Sequence, residues 1–240
     1  MPDPSPELTS GGRLRAAINL GNPVLAQRDA TTGALGGVSV ELARALAEQL
    51  GTPVELHPFD TAGAAFAALR DRACDIGFLA IDPARATELD FTAPYVVIEG
   101  TYLVPSGSPF ADTAAVDREG IRIAAGRNSA YGLHLGRSLR HATLVETASS
   151  QEAIDLFLSG GADVVAGIRQ PLAATAAAHP GLRVLPGRFM EIRQAMALPR
   201  GRPAGAARLH AFIEAMKASG FIAQALARSG QGEASVAPPA

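Results

Sequence analysis

Apolar positions along the chain switch between two periods. Residues 14–20 form a short apolar run broken by Gly21-Asn22-Pro23. Val40, Leu42, Ala43, Leu46, Ala47 and Leu50 then recur at helical spacing, and Gly51 follows where a left-handed residue closes a helix. A second strand is predicted over 54–59, then a helix capped by Thr61 and running through Phe66 and Leu69, then a third strand over 76–81. This β-α-β-α-β order predicts parallel strands joined by right-handed crossovers, with helices on the sheet faces. Such sheets bind ligands beyond the carboxyl ends of their strands.

The plan then recurs. A strand over 121–125 runs into Gly126-Arg127-Asn128-Ser129-Ala130-Tyr131 and a helix through Leu133 and Leu139. Leu144-Val145 starts another strand, Ser150-Gln151-Glu152-Ala153 opens a helix in the manner of a capping box, and 163–166 is a third strand. Tyr102-Leu103-Val104 leads into this second half, and 189–193 returns to a strand-like run over 194–198. A final amphipathic helix carries Leu209, Phe212, Ile213 and Met216. Two crossings between two α/β lobes predict a cleft and a hinge. The Pro-rich acidic start and the small, polar, Pro-bearing end from Ser229 are expected to be loose tails.

Composition narrows the function classes. At 240 residues and 48% hydrophobic, the chain can bury a large core in one or two domains. Its 21 basic and 23 acidic residues, a formal charge of −2, include no basic stripe, so nucleic acid is not an expected partner. No window approaches the ~18 consecutive apolar residues of a membrane span. The first residues have neither a basic n-region nor an apolar h-region, so no secretory signal is read. The one cysteine, Cys74, lies in an apolar strand pattern and is expected to be a packed thiol. His57, His134, His141, His179 and His210 are scattered without metal-ligand spacing, and neither metal nor cofactor is expected.

Candidate chemistry concentrates in residues 74–95. A buried strand ends in a polar turn, a short helical segment carries Arg85, and Pro94-Tyr95 enters the next strand. An arginine just past a strand's carboxyl end, beside a helix N-terminus, is well placed to receive a carboxylate: the guanidinium offers paired donors and free backbone N–H groups add more.

The succession of Gly37-Val38-Ser39-Val40-Glu41-Leu42-Ala43-Arg44-Ala45-Leu46, Asp75-Ile76-Gly77, Pro83-Ala84-Arg85 and Asp90-Phe91-Thr92-Ala93-Pro94-Tyr95 resembles family 3 of the bacterial extracellular solute-binding proteins. The similarity extends through 126–131 and Ser219-Gly220-Phe221. It implies an α/β, two-lobe type II periplasmic binding fold, each lobe a mostly parallel sheet flanked by helices. Lobe 1 would be 13–104 plus 194–231, lobe 2 would be 105–193, and 1–12 and 232–240 would be flexible tails. It also implies capture of a small carboxylate ligand by hinge closure, an ABC-transporter permease as partner, and a periplasmic location; with Met1 as the true start, a cytoplasmic one is expected. A monomer is expected, because such lobes bury their cores unaided.

Position by position, Arg85 matches the family's receptor for the ligand α-carboxylate. Ala80 stands where Ser or Thr is common and supplies only backbone groups. Asp82 stands where Thr is common, as an N-cap of the segment carrying Arg85 or as a ligand contact. Gly126, Asn128, Ser129 and Ala130 match a turn that reaches the carboxylate from the second lobe, with Ser129 as ligand hydroxyl or helix cap. Asn19, Asn22 and Thr61 lie at strand ends where the family lines its ligand. The departure follows the second lobe's third strand: the acid that neutralises a ligand ammonium is replaced by Ile168 or Arg169 within Ala166-Gly167-Ile168-Arg169-Gln170-Pro171. An ammonium buried unpaired beside an arginine would cost several kcal/mol. The expected ligand therefore lacks an amine there and carries a second anionic or polar group facing Arg169 and Arg127, unless Arg169 is a surface arginine. Glu99 is a further candidate, to accept a hydrogen bond or to hold an amine; Tyr102 is expected in the core. Two other readings stay open: a dehydratase of cyclic carboxylates using Glu99, Asp82 or Glu191, and a cytosolic ligand sensor.

Overall fold

A computed structural model describes residues 5–232 and 234–240. The chain divides into two compact units, one running up to Val97 and resuming at Arg193–Ala240, the other Ile98–Ile192. In chain order, unit 1 begins with helix α1 (Ser5–Leu8), strand β1 (Leu14–Asn19), a hairpin of β2 (Gln27–Arg28) and β3 (Leu35–Gly36), helix α2 (Val38–Gln49), β4 (Val54–Phe59), α3 (Ala62–Arg70), β5 (Ile76–Ala80), a single 3-10 turn (Arg85–Thr87) and β6 (Leu89–Phe91). Strand β7 (Val96–Pro105) carries the first crossing. Unit 2 continues with β8 (Arg122–Gly126), α4 (Ala130–Ser138), β9 (Thr143–Thr147), α5 (Ser150–Leu158), β10 (Val164–Ile168), α6 (Arg169–Ala178) and β11 (Leu182–Val184). Strand β12 (Met190–Pro199) carries the return, followed by α7 (Pro203–Ala218), α8 (Phe221–Arg228) and β13 (Ser235–Val236).

Each unit repeats one plan. In unit 1, β1 pairs in parallel with β4 and β5, and β12 runs antiparallel to β5. In unit 2, β8 pairs in parallel with β9 and β10, and β7 runs antiparallel to β10. The central strands β5 and β10 read IGFLA and VVAGI and are buried at every residue, the near-continuous apolar pattern of strands covered on both faces. In unit 1, Ala17, Ala65, Leu69, Cys74, Leu79 and Ala197 pack into one core; in unit 2, Leu103, Ala124, Ala153, Phe157, Val165 and Leu172 form another. The Cys74 thiol is pushed up to about 11 by burial, so it stays protonated and packs as a small apolar group.

Several sequence expectations need correction. The first crossing falls between Val97 and Ile98, inside β7 and before the turn at Pro105. The ends are not loose where they are described. Leu8 is fully buried and Gly205 N donates to Glu7 Oε2 at 2.7 Å, while β13 pairs with Val96 and Val97, with Ala237 buried beside it. The expectation for residues 1–4 lies outside the described residues. The chain after β12 makes two helices, because Gly220 adopts φ 74°, a left-handed conformation that ends the first and admits the second. Helix α6 starts at Arg169 directly after β10.

One buried charge fastens unit 1. Asp75, fully buried just before β5, accepts hydrogen bonds from Ser10 Oγ at 2.7 Å and from Arg15 Nε at 3.0 Å and Nη2 at 2.9 Å, with Arg202 Nη1 3.5 Å away. Burial alone pushes its pKa up, but the bonds from Arg15 and Ser10 outweigh that and hold the carboxyl below its ordinary range. A depressed folded-state pKa gives stability that is present above the unfolded value of ~3.9 and lost as pH falls through the folded one. Asp75→Asn is expected to lose ~3 kcal/mol at neutral pH. Urea melts from about pH 6 to about pH 2 should show a flatter acid limb for the variant than for the parent. Identical limbs would mean that Asp75 is not the titrating group.

Candidate functional site

Parallel pairing puts the ends of β1, β4 and β5 on one edge of unit 1, and the candidate polar residues of that unit lie there. Asn19 closes β1, and its Oδ1 accepts from Gly21 N at 3.0 Å. A Cβ on Gly21 would lie 2.6 Å from Asp60 O, so only glycine lets this turn pack against the residues leading into α3. Thr61 caps α3 by accepting from Ala64 N at 3.2 Å. Asn22 is buried, and its Oδ1 accepts from Val24 N at 3.3 Å, a turn role that holds Pro23 and Val24 in place.

Arg85 dominates this edge. It is 3% exposed although it carries a full charge, and its Nη1 donates to Ala80 O at 3.1 Å. Ala80 therefore contributes through its carbonyl. Burial pulls the guanidinium down to about 10, with the Asp82 carboxylate opposing that shift by charge attraction. Asp82 is itself 3% exposed, and its Oδ1 accepts from Ala84 N at 2.9 Å, which sets the turn leading into Arg85. The helical segment after this turn is only three residues of 3-10 helix, so the added helix N-terminus anticipated from the sequence is not built.

Gln194 adds to this edge. It is 4% exposed and lies opposite Ala80 across the β12–β5 ladder. The one sequence signal for it is a polar residue opening the otherwise apolar run Ala195-Met196-Ala197-Leu198.

Unit 2 carries its candidates on the matching edge. After β8, Asn128 takes φ 57°, tolerated by Asn better than by most residues, and Ser129 caps α4 by accepting from Gly132 N at 3.0 Å. Ala130 is the first residue of that helix. At the end of β10, Ile168 is 8% exposed and Arg169 opens α6. Glu99 on β7 is adjacent, because Ile168 pairs with Gly100 in the antiparallel ladder. Its Oε2 accepts from Arg169 Nε at 2.6 Å and its Oε1 from Arg188 Nη1 at 3.1 Å, and these bonds, Arg169 first, hold its carboxyl below the ordinary range against the opposing effect of burial. Arg169 also donates through Nη2 to Gly187 O at 2.5 Å. Its guanidinium, about a third exposed, thus engages both a carboxylate and a backbone carbonyl. Arg127 points to Glu146, 4.0 Å away, and Tyr102 is buried against Phe189. Among the described residues no group of three His, Cys, Asp or Glu could hold a metal ion, and no helix is long and apolar enough to cross a membrane.

Comparisons with known proteins agree with this layout. The model of the bacterial extracellular solute-binding proteins, family 3, matches residues 14–230. The structure of AbpA, an amino acid ABC transporter substrate-binding protein of Streptococcus pneumoniae bound to L-arginine, aligns with a TM-score of 0.81 at 19% identity, covering 94% of this chain and 97% of that one. The ancestral amino acid-binding protein AncCDT-1, a precursor of cyclohexadienyl dehydratase, aligns with a TM-score of 0.78 at 23% identity over 93% of this chain and 97% of that one. These likenesses establish the type II periplasmic-binding-protein fold. The virulence sensor protein BvgS of Bordetella pertussis is 32% identical over 151 residues, 62% of this chain but only 12% of that protein's length.

Because the Ser129 hydroxyl satisfies an otherwise unpaired helix N–H, Ser129→Ala is expected to destabilise unit 2 by ~1 kcal/mol. Chemical denaturation followed by circular dichroism would measure it. No change in midpoint would show that the cap is dispensable.

Proposed function

The chain belongs to the bacterial extracellular solute-binding proteins, family 3, and on that premise we propose that it captures a small carboxylate-bearing solute other than a standard α-amino acid, for uptake through an ABC-type permease. The observation that carries this reading is the burial of Arg85: a guanidinium only 3% exposed, its pKa drawn down to about 10 by desolvation, sits past the carboxyl end of β5. A ligand carboxylate would restore to that charge some of the stabilisation burial removed, through a bidentate charge-assisted pair. In this proposal the carboxylate docks on Arg85, with Ala80, Asp82, Asn22 and Thr61 shaping the surrounding edge. The turn containing Asn128, Ser129 and Ala130 then joins by motion about the two chain crossings. The apolar Ile168 and the already paired Arg169 at the end of β10 offer no carboxylate of their own to a ligand ammonium, which supports an amine-free acid. Since Glu99 balances Arg169, the reading does not require a second anionic group on the ligand.

A second reading, ligand sensing as part of a larger protein, has one observation in its favour: the stretch of sequence shared with the virulence sensor protein BvgS. The binding chemistry would be the same in both.

Thermal-shift screening across keto acids, hydroxy acids, dicarboxylates and amino acids should find the solute, since a ligand bound only to the folded state stabilises it by mass action. For the best acid, calorimetry on Arg85→Ala should show a loss of affinity of ~100-fold or more. Unaltered binding would remove Arg85 as the anchor.

A further inference from the structure

We infer that Gln194 contacts the ligand, its side-chain amide reading a hydroxyl that lies within a few bonds of the carboxylate held by Arg85. Both residues belong to unit 1. The proposal rests on the carboxylate-capture reading above and names the class of acid: a hydroxy acid, in preference to the acid of the same skeleton without the hydroxyl.

The β12–β5 ladder fixes where Gln194 stands. It lies opposite Ala80, the last residue of β5, and at the adjoining position Ile81 N donates to Arg193 O at 2.9 Å. Antiparallel pairs alternate, so Ala80 and Gln194 form the close, non-hydrogen-bonded kind, with Cα atoms ~4.5 Å apart and side chains on one face of the sheet. The carbonyl of Ala80 therefore points away from β12, and this oxygen accepts from Arg85 Nη1. Arg85 and Gln194 thus flank the end of β5, with Nη1 and the Gln194 Cα within about 10 Å of each other. A small hydroxy acid with one hydrogen bond to each side chain fits that interval.

The amide itself is the second observation. Gln194 is 4% exposed, yet among the described residues none hydrogen-bonds its amide, which reaches the sliver of surface left open. Its neighbours on this edge differ: Asn19 and Asn22 each commit Oδ1 to a turn of their own. The main chain of Gln194 is held, its carbonyl accepting from Tyr95 N at 2.8 Å, so only the side chain lacks a structural role. Ala80 offers nothing but a methyl group beside it. Phe78 and Met196, the next pair along the same face, are buried, so the apolar core stops at Gln194. An amide withdrawn from water without a partner is unfavourable, and a ligand that supplies the partner relieves this. A hydroxyl both donates and accepts, so it pairs with either end of the amide; a methylene in its place pairs with neither.

The test is calorimetry on the parent and on Gln194→Met, which keeps the length of the side chain and removes the amide. Three matched probe pairs are used: L-malate with succinate, L-2-hydroxyisocaproate with 4-methylpentanoate, and L-phenyllactate with 3-phenylpropanoate. The parent should bind the hydroxy member of at least one pair ~10-fold more tightly, and Gln194→Met should bring that ratio close to one. A parent without this preference overturns the proposal, as does a ratio that Gln194→Met leaves unchanged. A purely structural Gln194 would weaken both members alike and so leave the ratio where it was. If Gln194→Met does not fold, the side-chain amide resonances of Gln194 in the isotope-labelled parent decide. They should move on adding the hydroxy member and stay in place with its partner; equal movement overturns the proposal. Retained hydroxy-acid binding in Arg85→Ala would refute the anchor while the ratio still reports on Gln194. If the parent binds none of the six probes, the hydroxy-acid class is overturned, and Arg85 is judged by the wider acid screen.

Discussion

Parallel pairing of β1 with β4 and β5, and of β8 with β9 and β10, is the constraint on which everything functional here depends. Parallel strands return through a helix, so every strand in the set points the same way and all the carboxyl ends fall on one edge. Asn19, Thr61 and Arg85 are far apart in the chain yet lie at the ends of three neighbouring strands for this reason. The same logic groups Ser129, Ile168 and Arg169 in unit 2. Because β5 and β10 are buried at every residue, those strands are apolar throughout, and polar chemistry is displaced to where the strands stop.

Three buried or half-buried charges show three different uses of ionic chemistry. Asp75 is fully buried and saturated with donors from Ser10 and Arg15, an arrangement that fastens the N-terminal segment and β1 to the start of β5. Arg85 is nearly as deeply buried, its guanidinium drawn down by desolvation, with the Asp82 charge opposing that shift and Ala80 O accepting from Nη1. Glu99 lies nearer the surface and is shared by two arginines, so its charge is present but spoken for. Burial, partner number and partner sign together distinguish these three charges.

Most of the framework was legible because it is written in local periodicities and caps. The helix from Val38, the Thr61 cap, and the strands over 54–59 and 76–81 each correspond to an observed element, and the capping-box reading near Ser150 is realised one residue earlier, with Ser149 accepting from Glu152 N at 3.1 Å. Elements set by context were harder to see. Helix α6 begins without a side-chain cap, and α8 follows α7 after a single left-handed glycine, so neither announces its start. The chain ends read as tails because Pro-rich and small-residue segments lack periodicity, yet Leu8 and β13 are held by partners distant in sequence.

By itself the sequence determined the alternation of strands and helices, the family, and the position of Arg85 past a strand end. These follow from residue spacing and side-chain chemistry within a few turns of chain. Only the tertiary structure decided that the 3-10 turn after Asp82 is too short to serve as a helix N-terminus. It alone showed that Gln194 stands across from Ala80 and that Glu99 pairs with Arg169, 70 residues away. Which charges neutralise one another is a matter of distance in space, and antiparallel register brought those two together where no local pattern could.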